Sequence, residues 1–308
     1  MTLDPSYLTY PRRQKGMDHD LYPWSKMFDR TPLAWPGGEK VLTWIVIDLE
    51  WYPITPNDKP FRAPGHMATA YPDYRHYTSR DYGNRVGIYR LLDALEQVDA
   101  KASIAANSAI ADRYPALIKD IVSAGHEIIA HATDMNAAIA TGVPEDEERT
   151  MIATTLDGIE KVAGARPTGW LSIARSQSFN TPALLAEAGL SYMCDWVNDD
   201  LPYRMTTTGG PILNLPLNHE LSDRQILTVQ QQSMASYCEQ VQDAFASLSA
   251  EAESHGGRML PLNVTPYITG LPYRMAEFDG LLRWLAEQPG HGFASGADLA
   301  ASADAQLA

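Results

Sequence analysis

Two histidines, two acids and an amide crowd into GHEIIAHATDMN, residues 125–136. His126 and His131 are five apart, one residue more than the H-E-x-x-H zinc signature allows. On a helix that step turns roughly 140° about the axis, so the two imidazoles could not share a metal from one face. On a strand an odd step sends them to opposite faces. A zinc-protease helix is therefore excluded. The leading glycine and the alternation in EIIA favour a strand, with His126 structural at its start and His131 at its C-terminal end, where an imidazole could serve as acid or base.

A second group of reactive types ends VLTWIVIDLEW (41–51), a β-branched apolar run that reads as a buried strand. Asp48 and Glu50 are i and i+2, hence on one face. Carboxylates at the end of such a strand cost several kcal/mol unless paired or put to use (roughly 2–7 kcal/mol for an unpaired polar group). Either could activate a water molecule. Asp134 and Asn136 follow His131 closely enough to share its polar work. Arg85 in YGNRVG and Arg175 in SIARSQS could clamp a carbonyl or carboxylate with the planar guanidinium. Trp170, Trp196, His219 with Glu220, and Thr265 are further candidates for substrate contact, whereas Asp195, Asp199 and Asp200 suit ligands or, more simply, caps.

The elements that must position these groups alternate. After the first strand comes a long loop, 52–80, then a helix in GIYRLLDALEQVDA and a strand in KASIAAN. Further helices are read in YPALIKDIVSAG, EDEERTMIATTLDGIEKVAG, TPALLAEAG, MASYCEQVQDAFASLSAEAES and RMAEFDGLLRWLAEQ, and strands in HEIIAHA, RPTGWLSI, LSYMCDW, ILNLPLN and MLPLNVTPY. Such alternation without a composition break predicts one parallel α/β sheet, closed or nearly closed as a barrel. In that class, ligands bind at the C-terminal strand ends, where Asp48, Glu50, His131, Arg175, Asp195, His219 and Thr265 all fall. A single catalytic domain over 1–308 is expected, with 1–39 an arm laid over the body and 301–308 frayed. No glycine-rich phosphate loop follows a strand, which removes the main support for nucleotide binding.

The net charge of -14 argues against nucleic acid and anionic membranes as partners. Two cysteines without C-x-x-C spacing exclude a disulfide framework. The first twenty residues lack the apolar run of a signal peptide, and no stretch is apolar enough to span a bilayer. A cytoplasmic protein acting on a small molecule, and associating as a homo-oligomer, is the expectation.

YGNRVGIYRLLDAL (82–95), AGHEIIAH (124–131), RPTGW (166–170), DDLPY (199–203) and PYITGLPYRM (266–275) occur in the order of the polysaccharide deacetylase-like (NodB-homology) proteins. The chain resembles most the branch with bacterial allantoinases and cyclic imide hydrolases, over roughly residues 20–300. The resemblance implies a distorted (β/α) barrel and hydrolysis of a carbon–nitrogen bond in a cyclic amide, imide or ureide. It places Asp48, Glu50 and His131 at catalytic positions, with Arg85, Asp134, Trp170, Arg175, His219 and Thr265 as substrate contacts. It also exposes departures, since Met135 and Thr265 stand where family members carry metal-site histidines. No cofactor is therefore expected. If a divalent metal such as zinc is bound, the ligands would be Asp48, His131 and either Asp134 or His219. The alternatives are a metal-dependent N-deacetylase of an acetylated sugar or amine, and a catalytically silent binding protein on the same barrel.

Overall fold

The computed structural model describes residues 18–55, 72 and 74–307. Its central strand, β1 (Val41–Leu49), is buried at every position, as a strand covered on both faces must be. Alternation sorts its side chains. Leu42, Trp44 and Val46 join an apolar cluster with Ala105, Ile129, Leu171 and Leu213 inside the curl of the sheet. Val41, Ile45, Ile47 and Leu49 pack outward against helix residues such as Leu91, Ile118 and Leu282.

Around β1 stand β2 (Ser103–Ala106), β3 (Glu127–Ala130), β4 (Gly169–Trp170), β5 (Tyr192–Met193), β6 (Tyr203–Thr207), β7 (Gly210–Asn214), β8 (Arg258–Val264) and β9 (His291–Phe293). The order is β6-β7-β5-β4-β3-β2-β1-β8, with β9 pairing β1. β9 meets Val41–Thr43 and β2 meets Val46–Leu49, so the two share one edge of β1. Every pairing is parallel except the β6–β7 hairpin. The result is the distorted barrel expected, curled but not closed between β6 and β8.

Helices α1 (Tyr74–Tyr82), α2 (Ile88–Glu96), α3 (Ser108–Arg113), α4 (Pro115–Ser123), α5 (Glu145–Ala163), α6 (Thr181–Glu187), α7 (Met234–His255), α8 (Pro272–Ala286) and α9 (Gly296–Asp304) complete the body. Of these, α1, α3 and α9 are not visible in the apolar periodicity. Residues 74–80, expected to be loop, are helical; the part of that loop at 56–71 and 73 lies outside the described residues. Residues 301–304 are not frayed. A Ser295–Asp298 capping box starts α9, and Leu299, Ala300 and Ala303 bury its inner face. The described part of the arm, 18–39, is anchored by buried Leu21, Leu33 and Trp35, whose indole donates to the Arg258 carbonyl at 2.9 Å. Residues 1–17 lie outside the description. Among the described residues no helix is long and apolar enough to cross a membrane.

Candidate active site

The parity that sends Leu42, Trp44 and Val46 inward carries on to Asp48 and Glu50. On β3 the same rule runs from Ile129 to His131, and on β8 from Met259 to Asn263. Three strands, β1, β3 and β8, therefore deliver polar groups to one end of the barrel interior. There a cavity of about 450 Å³ is lined by Asp48, Glu50, His131, Arg175, Arg224 and Asn263, among others. That volume lies within the range of small-molecule sites (roughly 300–1,000 Å³).

Asp48 is 7% exposed. Its Oδ1 accepts from Asn263 Nδ2 at 2.8 Å, and no described residue bonds its Oδ2. Burial pushes this carboxyl above the usual aspartate range, and the negative charge of Glu50 adds to the shift. Asn263 Oδ1 in turn accepts from Arg175 Nη2 at 3.4 Å, so one amide orients an acid and a cation together. Arg175 enters the cavity from a turn in which it and Ala174 both take φ near +55° (55° and 54°), and its Nε donates to the Leu217 carbonyl at 3.1 Å.

His131 is 3% exposed, with Nδ1 at 2.6 Å from the Leu171 carbonyl oxygen. A carbonyl can only accept, so Nδ1 carries a proton and Nε2 is the nitrogen available to chemistry. The side-chain amide of Asn107 holds the backbone carbonyl of His131 from the neighbouring strand.

Glu50 has a different environment. Both its carboxylate oxygens lie 3.0 Å from Arg224 Nη2, and Oε2 also accepts from the hydroxyls of Tyr267 (2.9 Å) and Tyr52 (3.1 Å). Arg224 Nη1 donates to Tyr267 at 2.7 Å. With so many donors directed at its oxygens, this carboxylate is tied into the wall and is not positioned to take a proton from water. Between the two acids, the geometry favours Asp48 as base and gives Glu50 an anchoring role. The YGNRVG motif serves this network through its glycines, because a Cβ on Gly87 would sit 2.1 Å from the Pro266 carbonyl oxygen and one on Gly83 2.9 Å from the Tyr267 nitrogen.

Several expected contacts fall elsewhere. The side chain of Arg85 is 73% exposed and only 3.8 Å from Asp81, because the glycines of its turn, not the arginine, face the barrel. Trp170 is fully buried on the outward parity of β4 and donates to Ser172 at 2.8 Å, which makes it core. Asp134 does not line the cavity; its Oδ1 caps the following turn through Asn136 N at 2.8 Å, and Met135 fills the wall instead. Thr265 is 1% exposed and spent on Asp223, which accepts from its N (2.7 Å) and Oγ1 (3.1 Å). Burial lifts Asp223 to about 6. His219 does line the cavity, at the rim, paired with Glu220 at 2.8 Å. Asp195 is a wall residue held by Ser172 N and Gln177, and Asp199 binds Arg30 at 2.6 Å. Sequence reading missed Arg224, Asn263, Tyr52 and Tyr267. Asn263 alone carried a signal, standing two residues before Thr265 on the same face of a strand.

A three-ligand metal site does not assemble from these groups. Asp48 and His131 face the cavity, but Met135 is a thioether, Thr265 is engaged by Asp223, and Asp134 and His219 are committed to local partners. Among the described residues no three His, Cys, Asp or Glu side chains form a set that could hold an ion. The residues present do not fit a tridentate zinc.

Residues 75–193 match the polysaccharide deacetylase family. No curated protein matches the sequence significantly. Among solved structures, the chain is similar to PuuE allantoinase at 25% identity, covering 92% of this chain and 98% of that one with a TM-score of 0.81. Proteins of Mycobacterium smegmatis and Pseudomonas aeruginosa PAO1, both assigned to the polysaccharide deacetylases, share the fold. The first is 24% identical, with coverage of 92% and 97% and a TM-score of 0.76. The second is 23% identical, with coverage of 91% and 97% and a TM-score of 0.80. The match over residues 75–193 and the shared distorted barrel agree in making this chain similar to the polysaccharide deacetylases.

Proposed function

We propose that the protein hydrolyses a carbon–nitrogen bond in a small, uncharged cyclic amide, imide or ureide. The observation that carries this reading is the convergence of Asp48, His131 and Arg175 on a cavity of about 450 Å³ in which Glu50 and Arg224 neutralise each other and Asp195 is held by Ser172 N and Gln177. Such a space suits a compact polar ring better than a saccharide chain. The likeness to an allantoinase over nearly the whole of both chains supports it.

In the reaction, Asp48 Oδ2 takes a proton from water and the resulting hydroxide adds to the carbonyl carbon. The Nη1 of Arg175, which no described residue binds, faces the charge that develops on the carbonyl oxygen. As the tetrahedral adduct collapses, the carbon–nitrogen bond breaks and protonated His131 supplies Nε2–H to the leaving nitrogen. Transfer of the proton from Asp48 to His131 restores both groups. Throughout, the Leu171 carbonyl keeps the ring in place, since it accepts from Nδ1–H in the neutral and the protonated imidazole alike. The cellular setting that goes with this is a reducing cytoplasm, in keeping with two free thiols at Cys194 and Cys238, and the working form is a homo-oligomer without nucleic-acid or membrane partners.

Replacing His131 with Ala is expected to lower turnover roughly 10²–10⁴-fold per folded molecule, the usual range for a general acid. If turnover per folded molecule stayed unchanged and only the melting temperature fell, His131 would be structural.

Deacetylases of this superfamily are typically metal-dependent, and an N-deacetylase is the competing reading. Hydrolysis assayed over allantoin, hydantoins, succinimide-type imides, N-acetyl sugars and N-acetyl amines, with chelator and with added Zn²⁺, separates the two. Ring opening that survives chelation is expected, and Met135→His is expected to raise zinc affinity by supplying the missing imidazole. Release of acetate alone, lost on chelation and restored by zinc, would refute the ring-opening proposal.

A further inference from the structure

Beside the catalytic cavity lies a larger one of about 870 Å³. Arg175, Asp195 and Val197 line both, so the two spaces meet at residues that border the reacting bond. Away from that junction the walls carry the large apolar groups Tyr22, Phe179, Pro182 and Trp196, set among polar Asp18, His19, Thr141 and Ser178. His19 Nδ1 accepts from Leu21 N at 3.2 Å, and Ser178 donates to Glu148 at 2.6 Å. Phe179 is 52% exposed and Val197 39%, large apolar side chains at the rim.

The polar groups in this wall already serve one another. Trp196 Nε1 donates to Gln177 Oε1 at 2.7 Å, and Gln177 Nε2 donates to Asp195 at 2.5 Å. Asn198 donates to the Tyr22 hydroxyl at 2.7 Å and accepts from Tyr203 at 2.8 Å. Trp196 and Tyr22 meet edge to face, with centroids 5.6 Å apart. What these residues offer a ligand is therefore ring faces and aliphatic surface, with few free hydrogen-bonding groups. That chemistry recognises another aromatic ring rather than a hydroxylated one. The chain from Trp196 through Gln177 to Asp195 also ties the indole to the wall shared with the catalytic cavity.

We propose that this second cavity binds an aromatic substituent carried on the ring that is opened. The preferred substrates are aryl-substituted cyclic amides, imides or ureides, an inference that rests on the hydrolase reading above. The test compares hydantoin with 5-benzylhydantoin in the full-length protein and in Thr141→Trp, which places an indole in the second cavity from its outer wall. In the unmodified protein kcat/KM for 5-benzylhydantoin is expected to exceed that for hydantoin about 10-fold or more, as burial of a ring's worth of apolar surface allows. In Thr141→Trp the ratio is expected to fall towards one.

Binding of 5-benzylhydantoin, followed by titration calorimetry, separates the two levels of the argument. If neither compound is hydrolysed but the aryl compound binds and Thr141→Trp weakens it, the aromatic subsite stands and the hydrolase reading fails. Equal kcat/KM for the two compounds, or aryl binding indifferent to Thr141→Trp, would overturn the subsite while leaving ring opening untouched.

Discussion

Asp48→Asn is expected to lower kcat by about 10³–10⁴-fold, the upper part of what general-base catalysis contributes. The amide keeps the side chain's shape and can still accept from Asn263, but it cannot take a proton from water. The fold should survive, so the unfolding midpoint serves as the control. The same mechanism fixes a pH dependence. Only the ionised carboxylate can act as base, and burial with the nearby Glu50 charge raises the Asp48 pKa. The acid limb of kcat/KM should therefore lie above the ordinary aspartate value of about 3.9, and activity should fall as pH drops through it. An acid limb at or below that value, or full activity in Asp48→Asn, would remove Asp48 from the mechanism.

Arg224→Ala should be costly in a different currency. It leaves the Glu50 carboxylate buried beside two tyrosine hydroxyls with its cation gone; the Arg224 and Glu50 side chains are only 18% and 4% exposed. Breaking a buried pair from one side typically costs about 3–5 kcal/mol. Denaturant unfolding should show a lower midpoint at unchanged slope. Glu50→Gln should lower it too, and the double variant Arg224→Ala with Glu50→Gln should lose less than the two single losses added together, since no stranded charge remains. An unaltered midpoint with turnover abolished in Glu50→Gln would instead make Glu50 the base and Asp48 its neighbour.

These two expectations mark the line between what was legible in the sequence and what was not. Asp48, Glu50 and His131 could be placed at one end of the barrel because a strand alternates with period two and apolar runs reveal which end is buried. The same rule, applied to β8, would have found Asn263. Trp170 was misjudged for want of parity, because β4 is two residues long and too short to show which way alternation runs. Arg85 was misjudged because in YGNRVG the glycines carry the contact and the arginine does not. The helices α1 and α3 were missed since neither presents a clear apolar stripe.

The sequence by itself determined the alternating α/β plan and which strand ends bear acids and an imidazole, because periodicity and strand termini are local geometry written residue by residue. Which of the two acids keeps an available oxygen was decided only by tertiary structure. Arg224 reaches Glu50 across 174 positions of chain, and Asn263 reaches Asp48 across 215. Asn263 reaches Asp48 because β8 pairs with β1 in parallel register, and Arg224 is held near Glu50 because its neighbour Asp223 binds Thr265 at the end of β8. It is the pairing, not the residue type, that ties up one carboxylate and leaves the other an available oxygen.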